Sequence, residues 1–333
     1  MDLKVKHSLP RHVVIGAAGF LGRELVAQLL ALNIGPVLAV DMVNTDWHRG
    51  LNVQSEIIDI EDQGAVSKLN LQSSDIVHHL ASRLITPNSP RLDRYGYFAR
   101  TSVGGTKNLL KHMEVKNVRR LVFWSTDMVY GPQDHSPILE EVKPLPVGPY
   151  GKTKVLAENL IHEARNMFLD GATIFRPRLI IGAGRLGILQ KLFDRMILSQ
   201  PIPLIGNGSN RFQFVSVADC ARASVLAAVA GCPNETYNLG SDNPPTVFDL
   251  LTEFKHQIKS NSKLIKTNIR LIQTTLEFLN LLKISPLDPE QYRIAHCDMV
   301  LSTDKVKKQL SWAPQHSDID MLMSAFSTYH HSK

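Results

Sequence analysis

Residues 13–25 read V-V-I-G-A-A-G-F-L-G-R-E-L, and this stretch decides the fold. Val13–Ile15 is a short β-branched run. Gly16, Gly19 and Gly22 follow at GxxGxxG spacing, and then Leu21, Leu25, Val26 and Leu29 recur on one helical face. Strand, glycine turn and helix in that order suit a dinucleotide pyrophosphate. Glycine lets phosphate approach the backbone where a Cβ would collide. The helix N-terminus beyond it offers free N–H groups and a partial positive charge.

Further along, Val37–Val40 reads as the next strand and ends at Asp41, 19 residues after Gly22. A carboxylate there accepts hydrogen bonds from both adenosine ribose hydroxyls and repels a 2′-phosphate. Met42, Val43 and Asn44 follow it with no Arg, which favours NAD over NADP. Asp59 and Ile60, after a third strand at Ile57-Ile58, are expected beside the adenine. Leu80, Ala81 and Ser82 end a fourth strand, Ile76–His79, where small residues leave room under the cofactor. With Gly16, Gly19, Phe20, Leu21, Gly22 and Asp41, these residues form the expected cofactor surface. Strand candidates at Leu121–Trp124 and Ala172–Phe175 and a helix at Gly105–His112 complete the alternation. The fold class is α/β, a Rossmann-type doubly wound parallel sheet with a smaller C-terminal substrate domain.

After residue 178 the pattern loosens, with Gly and Pro clustered at 182–187 and 201–208. A helix is expected at Val247–Lys259, N-capped by Thr246, with Asp249 three residues on. The expected division is an NAD-binding domain over 1–178, rejoined by about 212–240, and a mainly substrate-binding domain over 179–333.

Composition narrows the function. The 333 residues carry 37 basic and 31 acidic side chains, a net charge of +6. No dense basic run interleaved with aromatics occurs, so a nucleic-acid partner is not expected. Cys220, Cys232 and Cys297 are far apart, and no Cys/His grouping has metal-ligand spacing. The expectation is reduced thiols, no metal and a cytoplasmic location. The segment MDLKVKHSLP lacks the apolar core of a signal peptide, and no run of 18 apolar residues exists. Leu271–Ile284 is the longest apolar-rich stretch. Core or dimer packing is its first reading, and a lid or a peripheral membrane patch beside Lys255, Lys259, Lys263, Lys266 and Arg270 is its second. A homodimer is expected.

The chemistry resides in P-Y-G-K-T-K, where Tyr150 and Lys154 lie at i and i+4 on one helical face. A free phenol titrates near ~10. A unit positive charge ~4 Å away, at an effective dielectric of ~20, lowers that by roughly three units. Ser125 and Thr126 come first, in F-W-S-T-D-M-V-Y-G at the end of the fifth strand. A hydroxyl there orients a reacting oxygen against Tyr150.

With these motifs in hand, the chain resembles the extended short-chain dehydrogenase/reductase superfamily, in its NAD-dependent epimerase/dehydratase group. The resemblance runs from Val13 to about Pro314 through G-A-A-G-F-L-G, H-L-A-S, G-G-T-K-N-L-L, S-T-D-M-V-Y-G, P-Y-G-K-T-K, F-R-P-R-L-I-I-G and Y-N-L-G-S. It implies catalytic roles for Tyr150, Lys154 and Thr126. It also places Asp127, Met128, Arg178 and Arg211 near the substrate. Three departures stand out. Met128 replaces the Glu of the dehydratase motif S-T-D-E-V-Y-G, and a thioether cannot remove a carbon-bound proton. Leu179 replaces the Asn of R-P-x-N, and Phe212-Gln213 replaces an Arg-Asp pair. The leading expectation is a nucleotide-sugar epimerase. A 3β-hydroxysteroid-dehydrogenase-like or other alcohol dehydrogenase acting on a hydroxylated lipid is the runner-up. A non-catalytic dinucleotide-binding regulator stands third.

Overall fold

A computed structural model describes residues 9–44, 52–86, 89–184, 189–282, 285 and 287–331. The N-terminal segment 1–8, Gly187 of the glycine-rich stretch, and Lys283 and Ile284 of the apolar stretch lie outside the described residues.

The first half alternates strand and helix: β1 (His12–Ile15), α1 (Phe20–Leu32), β2 (Val37–Asp41), β3 (Val53–Ile57), α2 (Gln63–Val66) and β4 (Ile76–His79). Next come α3 (Arg94–Ala99), α4 (Thr106–Val115), β5 (Arg120–Trp124), α5 (Pro149–Met167) and β6 (Gly171–Pro177). The remainder comprises β7 (Leu179–Ile181), α6 (Leu189–Ile197), β8 (Ile202–Pro203), β9 (Phe214–Ser216), α7 (Val217–Val229) and β10 (Thr236–Leu239). It ends with α8 (Val247–Gln257), β11 (Leu264–Ile265), α9 (Ile269–Leu281), α10 (Pro289–Tyr292), α11 (Asp304–Leu310) and α12 (Asp318–His331).

Seven strands form one sheet in the order β10-β6-β5-β4-β1-β2-β3, and all six pairings are parallel. The order reverses at β1, so the crevice at the carboxyl ends of β1 and β4 is where such a sheet binds ligands. The central strands read as near-continuous apolar runs because helices cover both faces. One face packs Val13, Val77, Leu121 and Ile174 against Leu109, Met113, Ala157 and Ile161. The other packs Trp124, Phe175 and Tyr237 against Cys220, Ala223 and Trp312.

β3 shows where apolar pattern is a poor guide. The apolar pair Ile57-Ile58 marked the strand, but it spans Val53–Ile57, with Ile57 63% exposed and Ile58 buried just beyond it. An edge strand with a wet face tolerates V-Q-S-E-I, so its polar half carried no signal. In contrast, Thr246 caps α8 as its hydroxyl pattern requires. Its Oγ1 accepts from Asp249 N at 3.1 Å.

The residues after β6 leave the main sheet, and β10 later returns to its edge beside β6. Ile181, Phe193, Phe214, Phe254, Met321 and Tyr329 form a separate core under α6, α8 and α12. Among the described residues, no helix is long and apolar enough to cross a membrane.

Candidate active site

A cavity of about 670 Å³ opens along the carboxyl ends of the strands. It lies within the size range of small-molecule sites. Its wall contains every residue expected to touch a cofactor: Gly16, Gly19, Phe20, Leu21, Gly22, Asp41, Asp59, Ile60, Leu80, Ala81, Ser82, Tyr150 and Lys154. Thr126, Asp127, Met128 and Arg178 line it too.

The glycine turn is sterically compelled. A Cβ on Gly22 would lie 2.1 Å from Gly16 O, and one on Gly16, where φ is +91°, would lie 2.7 Å from Ala81 N. Asp41 fastens the turn. Its Oδ2 accepts from Ala18 N at 2.9 Å and its Oδ1 from Val43 N at 3.3 Å. The carboxylate is thereby fixed at the end of β2, where a ribose diol would meet it. Asp59 combines wall and turn, because its Oδ1 accepts from Glu61 N at 2.9 Å. Glycines that a Cβ would clash with, a held acid at β2 and a wall of small residues fit a dinucleotide.

Tyr150 and Lys154 share the inner face of α5 and are 7% and 2% exposed. The Lys154 ammonium donates to Trp124 O at 2.8 Å and stands 5.0 Å above the Phe123 ring. Burial lowers its pKa from 10.5 to about 8, with the Glu158 carboxylate opposing. Thr126 caps the turn after β5. Its Oγ1 accepts from Met128 N at 3.2 Å and donates to Asp127 Oδ1 at 3.1 Å. One lone pair of that hydroxyl stays available, and rotation would release its proton to an incoming oxygen.

Asp127 is ion-paired with the Arg178 guanidinium, and both are buried. Arg178 also donates to Met299 O at 3.0 Å and stacks over the Phe212 ring at 4.5 Å. The carboxylate and its cation thus neutralise each other on the cavity wall. Arg211 lies apart from these residues. Its side chain turns outward, 46% exposed, and pairs with Asp298 at 3.1 Å, and it does not line the cavity. Phe212 occupies the wall, because successive residues of an extended chain point to opposite sides.

Other wall residues carried no signal in the sequence: Leu84, Ile85, Gln291, Ile294 and Ala295. Glu290 is the most consequential of the residues missed. It is 2% exposed, and its Oε1 and Oε2 accept from Tyr150 N at 3.0 Å and Gly151 N at 3.1 Å. An acid from the C-terminal region therefore caps the helix that bears the tyrosine, satisfying orphan N–H groups. Gly148 leaves it space, since a Cβ there would lie 2.1 Å from Glu290 Cγ. Burial raises the Glu290 pKa, and the two backbone N–H donors oppose that rise.

Known proteins align with this arrangement. The sequence profile of the NAD dependent epimerase/dehydratase family matches residues 12–240. The uncharacterised protein y4nG of Sinorhizobium fredii is 28% identical over 95% of this chain and 78% of its own length. A putative UDP-glucose 4-epimerase of Methanocaldococcus jannaschii is 28% identical over 74% of this chain and 82% of that protein. The UDP-glucose 4-epimerase of Lacticaseibacillus casei is 25% identical over 95% and 96%. In fold, the chain matches the Thermotoga maritima UDP-glucose 4-epimerase crystallised with UDP-glucose. That match has a TM-score of 0.75 at 24% identity, covering 97% of this chain and 99% of that one. The Bacillus cereus UDP-glucuronic acid 4-epimerase with NAD also matches, with a TM-score of 0.75 at 21% identity over 96% and 99%.

Two outcomes are expected. The buried Lys154 ammonium is disfavoured in the folded state, so the unfolded chain holds that proton more tightly. The penalty, about 3 kcal/mol, is full below pH 8 and fades as pH rises towards 10.5. Lys154→Met should therefore unfold at a higher temperature than wild type at pH 7. Its advantage should shrink when both are melted at pH 9.5, and an advantage that grows with pH contradicts the assignment. Glu290→Gln presents an amide N–H to a backbone donor. It should lower kcat by roughly tenfold or more, with NADH affinity changed little, as read by steady-state kinetics and fluorescence titration.

Proposed function

The chain belongs to the NAD-dependent epimerase/dehydratase family, and from that premise we propose that it epimerises a secondary alcohol of a nucleotide sugar through a transient keto intermediate. One observation carries the reading: Tyr150, Lys154 and Thr126 converge on the wall of the cavity that the glycine turn and Asp41 also line.

In this reading Tyr150 takes the hydroxyl proton of the substrate. Lys154, fixed by its bond to Trp124 O, supplies the positive charge that favours the phenolate. Thr126 Oγ1 holds the reacting oxygen beside the phenol. NAD would be held by the glycine turn and Asp41 and would supply a reversible hydride acceptor, so that the ketone could be reduced on either face. The proton that Tyr150 accepted goes back to the same oxygen, so protons and hydride both balance over the cycle. Phe98, whose ring meets Tyr150 edge-on at 5.4 Å, keeps the phenol from swinging away. Met128 has no proton-accepting group, so carbon deprotonation and loss of water are not part of the cycle. Nucleotide binding by 1–178 with 212–240, and substrate binding mainly by 179–333, belong to the same proposal.

A second reading is oxidation of a lipophilic alcohol. Leu84, Ile85, Leu179, Phe212 and Ile294 favour it, since they make much of the substrate side of the wall apolar. Epimerisation leads because the similar proteins of defined activity are 4-epimerases of UDP-sugars.

The test is incubation with NAD and a panel of UDP-hexoses and UDP-uronic acids, followed by NMR of the sugar. Interconversion at one carbinol is expected, without any 4-keto-6-deoxy product. Tyr150→Phe should remove turnover, by on the order of 10³-fold or more, while NADH still binds. Net formation of a ketone from a hydroxysteroid, with no action on any sugar nucleotide, would select the second reading. Separately, NADH should bind more tightly than NADPH, because Asp41 meets the 2′ position. Tighter NADPH binding in a fluorescence titration would remove Asp41 from that role.

A further inference from the structure

Helix α9 turns Ile269, Ile272, Leu276 and Leu279 towards the protein and presents a second apolar face to solvent. At 3.6 residues per turn, Leu271, Phe278 and Leu282, just past its end, fall within an arc of roughly 40° around the axis. They are 67%, 59% and 51% exposed, and Leu281, on the flank beside Arg270, is 77% exposed. Leu276, on the opposite face, is the side chain that α9 buries. An amphipathic helix of a globular protein usually turns its apolar stripe inward. Core packing, the first reading of this stretch, therefore fails for its largest side chains. Grouped large apolar residues in solvent mark a contact surface.

Charge identifies what that surface meets. Between residues 255 and 282 stand Lys255, Lys259, Lys263, Lys266 and Arg270, and the acidic residue there is Glu277. Glu277 is already paired with Arg293 at 2.8 Å. Lys259, Lys263, Lys266 and Arg270 are exposed. A symmetric contact with a second copy of this chain would bring these cations together and cost energy, so self-association fits the charge poorly. The helix has 13 residues, well short of the ~20 needed to span a bilayer. α9 itself carries Arg270, and the exposed Lys259, Lys263 and Lys266 precede it in the chain; a short helix with an exposed apolar arc in so basic a segment suits a position in the plane of an interface.

We propose that α9 is a docking surface for an anionic lipid bilayer, with Leu271, Phe278 and Leu282 entering the headgroup boundary and the cations meeting lipid phosphates. The surface is one helix away from the active-site cavity. α9 packs on α10, and Gln273 meets His296 Nδ1 at 3.2 Å. Ile294 and Ala295, between the two tethers at Arg293 and His296, line the cavity. Docking would place the bilayer on the far side of α9 from this wall. The proposal does not depend on which alcohol the active site takes.

The test is flotation of the full chain with vesicles of phosphatidylcholine alone, or mixed with phosphatidylglycerol, at low and high salt. Co-flotation is expected with the anionic vesicles at low salt, weakening at high salt as screening shortens the reach of the charges. The double variant Leu271→Gln/Phe278→Gln should lose it, and Lys263→Gln/Lys266→Gln/Arg270→Gln should reduce partitioning on the order of a hundredfold. Undiminished NADH affinity certifies that both variants are folded. No flotation of the wild type at low salt overturns the proposal, as does equal flotation of the leucine–phenylalanine variant. Sedimentation completes the test. If wild type is a dimer and Leu271→Gln/Phe278→Gln a monomer, the face is an interface between copies and the proposal falls.

Discussion

Helix α5 is held at three heights by buried ionic groups, and the catalytic geometry depends on that hold. At its first turn Glu290 accepts from Tyr150 N and Gly151 N. One turn on, Lys154 donates to Trp124 O. One turn further, Glu158 takes a bidentate bond from Arg176, at 3.0 and 2.6 Å, reaching across from β6. Each group is 5% exposed or less. Burying charge is unfavourable unless every group finds a partner. The helix can satisfy all three attachments in one rotation and one axial position, and so the phenol of Tyr150 is fixed relative to β5.

That arrangement explains why stability and chemistry are in tension here. Lys154 has no carboxylate bonded to it. A backbone carbonyl and an aromatic face receive it instead, and its pKa falls accordingly to about 8. A carboxylate partner would have made the ammonium more comfortable but would also have screened the phenol from its charge. Under the proposed mechanism, the energetic cost at Lys154 is the counterpart of the charge that favours the Tyr150 phenolate.

The legible parts of the molecule were those whose constraint is local. The glycine turn spans seven residues, the tyrosine and lysine lie one turn apart, and Thr246 caps a helix three residues away. In each case physical necessity acts over a distance that the sequence displays directly. Glu290 is 140 residues from Tyr150, and nothing in D-P-E-Q announces that its carboxylate reaches another element. Ile294 and Ala295 reach the cavity only because the chain folds back over it. Arg211 lies off the cavity wall for a related reason: which of two neighbours faces inward depends on strand orientation, and here it is Phe212. The edge strand β3 was blurred because half of its side chains face water.

The substrate side of the wall carries a charge that is paired within the protein, with one of its donors left over. Arg178 reaches the cavity with its guanidinium bonded to Asp127 and to Met299 O and centred 4.5 Å from the middle of the Phe212 ring, while its Nη2 is buried without a hydrogen-bond partner among the described residues. Such a residue joins three segments, the turn after β5, the start of β7 and the C-terminal loop, and keeps one buried N–H donor unused. Asp127 in turn accepts the proton of Thr126, so the hydroxyl expected to orient the substrate is itself oriented from behind. A substrate oxygen arriving at Thr126 would compete with Asp127 for that proton. Because Arg178 shares the Asp127 carboxylate, the competition is weaker than an unpaired acid would give. The ion pair therefore orients the Thr126 hydroxyl from behind, and Leu179, Phe212 and Ile294 make the neighbouring wall apolar.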